Sequence, residues 1–271
     1  MARLLSKIPF RKGTSAGRPQ PEMSFLDHLE ELRWHIVKIV IGIILASIAC
    51  AVFADFIVQD ILMRPLRAAG LKAQVLTPYG IVLLYMQTVI ICGFIIAMPN
   101  TLLWLWRFVA PGLLPRERRY IASIVTLTSL CFFIGVAFAY FILLPTALQF
   151  FAKFGTQNID LNVSIDHYIG FVLTLLVGAG LVFELPMITY VLSKMGILTP
   201  RFMRNYRRHA IVVILIIAAI VTPSPDIITQ VMLAVPMLAL YEISIMVSAM
   251  AIKPKIEKQT STDVTKGDSD S

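Results

Sequence analysis

The chain has 271 residues, a net charge of +8, 58% apolar residues and a mean hydropathy of +0.79. Ordinary soluble domains hold about 45–50% apolar residues, so these values exclude one. The apolar runs are long and do not alternate, which excludes a β-barrel and predicts an all-α, polytopic membrane protein.

Residues 1–20 mix Gly, Pro and Ser with scattered bases and predict a disordered basic tail. About thirty polar residues precede the first apolar run, so no cleavable signal peptide is expected. Met23 to His35 forms the first polar knot. Ser24 followed by Asp27 resembles a capping box. Phe25, Leu29, Leu32 and Ile36 share one helical stripe, which predicts an amphipathic helix leading into span one, Trp34 to Ala54. Glu31 lies off that stripe, either as a solvated acid offsetting nearby bases or as a ligand for an incoming cation.

Span two runs from Gly80 to Trp106 and carries Pro99. Pro111-Gly112 and Pro115 then force a turn in the knot Arg107 to Tyr120. Glu117 is the only acid among Arg116, Arg118 and Arg119. It is either a local counter-ion or a carboxylate able to accept a guanidinium on both oxygens. Span three is Tyr120 to Leu144. The loop Pro145 to His167 is nearly neutral, and neither it nor Met63-Arg64-Pro65-Leu66 in the first loop on that side has catalytic spacing.

Span four, Tyr168 to Leu192, contains Glu184 within an otherwise apolar stretch. Inserting such a carboxylate costs about 2.5 kcal/mol or more. It serves a partner's polar group, a proton or a water-filled cavity, or it is a protonated carboxyl bonded inside the bundle. Pro186 cannot donate to the Val182 carbonyl and weakens the helix there. Span five, about Ala210 to Val221, falls short of the roughly 20 residues that cross a bilayer. Either its flanks extend it or the bilayer thins. Thr222 to Asp226 is a tight turn with Asp226 as a turn or cap residue, and Gln230 puts a polar group at the start of span six, Ile227 to Met250. Residues 253–271 predict a disordered tail, leaving residues 21–252 as one six-helix transmembrane domain.

Of the 24 Lys and Arg, 20 fall on the side of the termini and only Arg64, Arg67, Lys72 and Lys153 on the other. That asymmetry puts both ends in the cytoplasm and explains the net charge without nucleic acid. Cys50, Cys92 and Cys131 lie in apolar runs, and His28, His35, His167 and His209 are scattered. No disulfide framework, metal site, cofactor motif or catalytic motif is expected.

Five segments together resemble the TatC family of twin-arginine translocase subunits. His28 to Arg33 (H-L-E-E-L-R) is similar to the family's opening motif, and Phe108 to Arg119 (F-V-A-P-G-L-L-P-R-E-R-R) to its first basic loop. Phe183 to Pro186 (F-E-L-P) is similar to its fourth-span motif. M-G-I-L-T-P-R-F-M-R-N-Y-R-R and T-P-S-P-D-I-I-T-Q follow in order. Trp104 stands where the family usually has glutamine, and Gln87 where it has a base.

The resemblance implies a concave six-helix bundle in the bacterial inner membrane, with both termini cytoplasmic and no enzymatic activity. It implies a receptor for folded precursors bearing signal peptides with paired arginines. The partners it implies are TatA- and TatB-type single-span proteins and further copies of itself, with transport driven by the proton-motive force. Glu31 and Glu117 would each take one guanidinium, Arg33 and Arg119 would orient them, and Phe108 would shape the loop. Glu184 with Pro186 would form an intramembrane station for a partner. A proton-coupled small-solute transporter using Glu184 is the alternative; it calls for a paired charge or an internal repeat, and the sequence shows neither.

Overall fold

The structure is a computed structural model that describes residues 25–109, 121–153, 162–222 and 227–267. Residues 1–24, with Ser24, lie outside it. The elements, in chain order, are α1 (Phe25–Val52), α2 (Met63–Ala68), β1 (Lys72–Gln74), α3 (Gly80–Val109), α4 (Ile121–Phe138), α5 (Leu144–Lys153), β2 (Asn162–Ser164), α6 (Ile165–Val182), α7 (Leu185–Lys194), α8 (Pro200–Asn205), α9 (Arg207–Val221) and α10 (Ile227–Gly267). A helical turn (Ala54–Phe56) and a π-helical stretch (Ile57–Leu62) join α1 to α2. A second π-helical stretch (Ala139–Leu143) makes α4 and α5 one continuous rod.

Five helical stretches are long and apolar enough to cross a membrane: Glu30–Val52, Gly80–Val109, Ala122–Lys153, Ile165–Lys194 and Ile227–Ala251. The 15-residue α9, fifth in chain order, brings the number of passes among the described residues to six. At 1.5 Å per residue it reaches only about 22 Å, against a hydrocarbon core of about 30 Å. The fourth stretch is the centre of the bundle, with 61% of its most apolar window buried against 6% for α1. Most of α1 therefore faces lipid, as exposed Ile44, Leu45 and Ile48 show.

Helix association inside a bilayer depends on close packing, and small residues permit it. A Cβ built on Gly93 of α3 would lie 2.6 Å from the Ser47 Cα and 2.7 Å from its N, so α1 and α3 touch backbone to backbone. On α4, a Cβ at Gly135 would lie 2.8 Å from the Ala179 carbonyl and from the Phe183 ring. These contacts hold α3 against α1 and α4 against α6, antiparallel in both pairs.

On the side away from the termini the described loop residues are packed against the bundle. The Tyr140 hydroxyl donates to the Ile61 carbonyl at 2.9 Å, and the Tyr168 hydroxyl to the Leu62 carbonyl at 2.6 Å. Strands β1 and β2 pair in parallel, Lys72 opposite Asn162 and Gln74 opposite Ser164. Two tyrosines and a short ladder thus dock the first loop onto α4–α6.

Three expected boundaries shift. The third span, expected to end at Leu144, continues to Lys153: Pro145 follows directly on the π-helical stretch, where the regular ladder of helix bonds is already interrupted, so its missing N–H does not end the rod. The fifth gains Arg207 to His209 and stays short. The sixth runs on helically to Gly267, through residues whose composition predicts a disordered tail, since an established helix propagates without a new nucleus.

Candidate functional site

Two polar stations stand out, one at the basic side of the membrane and one inside it. At the basic side the first turns of α1 meet the last turns of α3. Helix α1 runs through the interface without a break, so Glu31 and His35 lie one turn apart. Glu31 is half-buried, His35 is buried and Arg33 is exposed. His35 Nδ1 lies 2.7 Å from the Glu31 carbonyl, and that bond places the imidazole proton on Nδ1.

The His35 ring packs edge-on against Trp104, with centroids 5.5 Å apart, and against Phe108, 6.2 Å apart. Trp104 also draws two cations: Lys38 Nζ lies 4.2 Å and the Arg107 guanidinium 4.8 Å from its ring centre. The Trp104 indole N–H donates to Asn100 Oδ1 at 3.1 Å, which fixes the ring. The result is a rigid aromatic corner, with Glu31 one turn above it on α1 and Phe108 at its edge on α3. Of the residues expected here, the structure brings Glu31 and Phe108 to the same corner. Glu117 and Arg119 lie outside the described residues, as does Asp226.

The second station is the break between α6 and α7. Phe183 and Glu184 form a tightened turn with right-handed helical dihedrals, and Pro186 lies in the first turn of α7. The Glu184 carbonyl restarts the helix by accepting from the N–H groups of Met187 (3.0 Å) and Ile188 (2.9 Å). Glu184 is 4% exposed, and its Oε1 is buried with no hydrogen-bond partner among the described residues. It sits ten residues, about 15 Å, from Lys194 at the end of α7. Two turns toward α6, a hollow of about 530 Å³ opens on the membrane face between α1, α3, α6 and α9. Ile43, Ile90, Phe94, Leu173, Val177 and Ile220 line it.

Gln230, expected as a polar group at the start of span six, bonds within the bundle. Its Nε2 donates to the Leu215 carbonyl at 2.9 Å and ties α10 to α9. Sequence reasoning missed two features. His35, Lys38 and Trp104 form the corner, and the signal was there in the α1 spacing: His35 and Lys38 follow Glu31 by four and seven residues. The other is Glu242, a second acid inside an apolar span, which accepts from Arg207 at 2.6 Å. Neither station holds a cluster of metal-ligating side chains among the described residues.

These features define a multi-pass helical membrane protein with a polar, aromatic-walled corner at one surface and a buried acid oxygen without a hydrogen-bond partner among the described residues. Residues 27–236 match the model of the family described as Sec-independent protein translocase protein (TatC). The Sec-independent protein translocase protein TatC of Carboxydothermus hydrogenoformans is 38% identical over 86% of this chain and 95% of its own length. The corresponding protein of Aquifex aeolicus is 36% identical over 88% and 99%. A crystal structure of the twin-arginine translocase receptor TatC superposes with a TM-score of 0.75 at 38% identity, covering 83% of this chain and 99% of that one. The chain belongs to the TatC family and is a membrane subunit of the Sec-independent, twin-arginine translocase.

Proposed function

We propose that this protein receives the paired arginines of a precursor's signal peptide at the cytoplasmic surface, through Glu31 and Glu117. The observation that carries the reading is the corner where α1 and α3 converge. It holds Glu31 beside a fixed aromatic wall of His35, Trp104 and Phe108. Two planar cations call for two separate carboxylates, and each charged hydrogen bond contributes about 1.5–3 kcal/mol. Trp104 already holds two cations over its ring, so the same wall suits a guanidinium face.

The signal's apolar stretch would follow into the hollow between α1, α3, α6 and α9, which is of helix-contacting size and apolar. Glu184 would receive a polar side chain from a TatA- or TatB-type span, satisfying Oε1. The protein would work in the bacterial inner membrane with both termini cytoplasmic, in assemblies containing several copies, using the proton-motive force. The Lys and Arg asymmetry supports the orientation, and the bacterial relatives support the membrane.

The test is photo-crosslinking of a twin-arginine signal peptide to membranes carrying Glu31→Gln or Glu117→Gln. Each variant should lose at least about tenfold in crosslinking, in keeping with one lost charged bond. A twin-lysine peptide should behave on the wild type as the twin-arginine peptide does on either variant. Undiminished crosslinking in both variants would refute the receptor assignment.

A further inference from the structure

We propose that the side of the protein opposite the termini carries a binding site for an anionic phospholipid, with Arg64 and Arg67 as its phosphate ligands. This does not depend on signal recognition. It rests on the membrane architecture alone.

The first observation is charge. Only four of the 24 Lys and Arg lie on that side, and Arg64 and Arg67 are two of them, three residues apart on one face of α2. Bases there run against the distribution that orients the protein. Both side chains are exposed. Arg67 is held in place, its guanidinium donating to Gln59 Oε1 at 2.8 Å. Arg64 makes no hydrogen bond or ion pair with any described residue, although it lines two adjoining clefts, of about 630 Å³ and about 330 Å³. Both clefts also share Tyr140 and Phe141.

The second observation is height. Phe141 lies 20 residues beyond Ile121 on the third rod, about 30 Å up the helix, which is the thickness of the hydrocarbon core. It is 72% exposed, and Phe56 on the neighbouring wall is 56% exposed. The clefts therefore have an apolar floor at the edge of the acyl region, with guanidiniums above it at headgroup level. An amphipathic ligand with a phosphate over hydrocarbon matches that order.

The third observation fixes the charge of the headgroup. Asp60 also lines the larger cleft, so the local sum is one positive charge. A phosphodiester with an uncharged polar head, as in phosphatidylglycerol, neutralises it. The Tyr140 hydroxyl proton is already committed to the Ile61 carbonyl, which leaves the ring as a fixed wall between the two clefts. Arginine binds phosphate with two parallel N–H bonds, and basic pockets at headgroup height recognise lipid in this manner.

Native mass spectrometry of the full chain in mild detergent, titrated with phosphatidylglycerol or phosphatidylethanolamine, tests the site. The wild type should bind phosphatidylglycerol at least about tenfold more tightly than the R64Q/R67Q variant does, and more tightly than it binds phosphatidylethanolamine. Lys72→Gln, on the same side in β1, should bind as wild type. Arg64→Gln alone breaks no bond in the structure, so it keeps the test decisive if the double variant folds poorly. Soluble glycerol phosphate should not compete. Equal binding of the two lipids, or undiminished phosphatidylglycerol binding in R64Q and in R64Q/R67Q, would overturn the proposal. So would displacement by glycerol phosphate. Loss of self-association with lipid binding intact would make this face a contact between copies, and would overturn it too.

Discussion

Glu184 is the residue where stability and function pull apart. A buried polar atom without a partner costs about 1–3 kcal/mol, and Oε1 is such an atom. If the acid only held the bundle together, replacing it would loosen the fold. If it waits for a partner's span, Glu184→Leu should leave the purified protein as stable as wild type or more so, by up to about 2 kcal/mol. Precursor export in cells should nevertheless fall at least about tenfold, as the polar group on the partner's span is left buried without a hydrogen bond, at a cost of about 1–3 kcal/mol. Thermal melting in detergent, read beside export of a folded reporter, separates the two. A lower melting point with normal export would make Glu184 a structural residue.

Residue identity made part of the sites legible and hid the rest. Glu184 shows itself because a carboxylate in an apolar run is costly wherever the helix ends up. Glu242 meets the same criterion, but its partner is not legible in its own segment. It pairs with Arg207 at a place where both side chains are about half exposed. That pairing depends on the register of α9 against α10, which no single segment encodes. The corner at His35 is similar. Periodicity along α1 groups Glu31, His35 and Lys38, but Trp104 and Phe108 join them only because α1 and α3 run antiparallel in one particular register.

At the scale of elements, the α1–α3 contact sets that register. Gly93 lies against the backbone of Ser47, which cannot swing aside as a side chain could. Gly93→Ala should therefore push the helices apart and destabilise the protein by about 1–3 kcal/mol, the usual cost of overpacking. Ile96→Ala, one turn away with its side chain 59% exposed to lipid, should change stability by less than about 0.5 kcal/mol. Comparing the two melting curves checks the claim. Equal shifts would mean that the glycine is not a packing contact. The break at Glu184 was readable from Pro186 alone, because a missing N–H acts locally. The docked loop, with Tyr140 and Tyr168 on consecutive carbonyls, was not readable, because those bonds span 79 and 106 residues.

Across the whole molecule, the short α9 becomes informative once its register is known. Gln230 bonds to Leu215 and Glu242 to Arg207, so α9 runs alongside α10 only from its start to Glu242. The α10 apolar stretch continues nine residues further, to Ala251, which is about 14 Å. Helix α8 lies at the same depth as the start of α9, since the Tyr241 hydroxyl, beside Glu242, donates to the Met203 carbonyl at 2.8 Å. Arg201, Arg204, Arg207 and Arg208 are thereby drawn to a level that a bilayer of full thickness would fill with hydrocarbon. A bilayer thinned around α9 puts these bases in water at a small cost per ångström of mismatch. In a chain with its three cysteines replaced by alanine, Tyr206→Cys, at the α8–α9 joint, should react with a charged maleimide. Ile216→Cys in mid-α9 and Leu130→Cys in mid-α4, both lipid-exposed, should stay protected. With the termini cytoplasmic, the Tyr206→Cys label should enter only from the cytoplasmic side of sealed vesicles, and Lys72→Cys should label only from the other. Protection of Tyr206→Cys equal to that of Ile216→Cys would mean a bilayer of ordinary thickness. Labelling from the opposite sides would invert the orientation, and with it the placing of the Glu31 corner in reach of a newly made precursor.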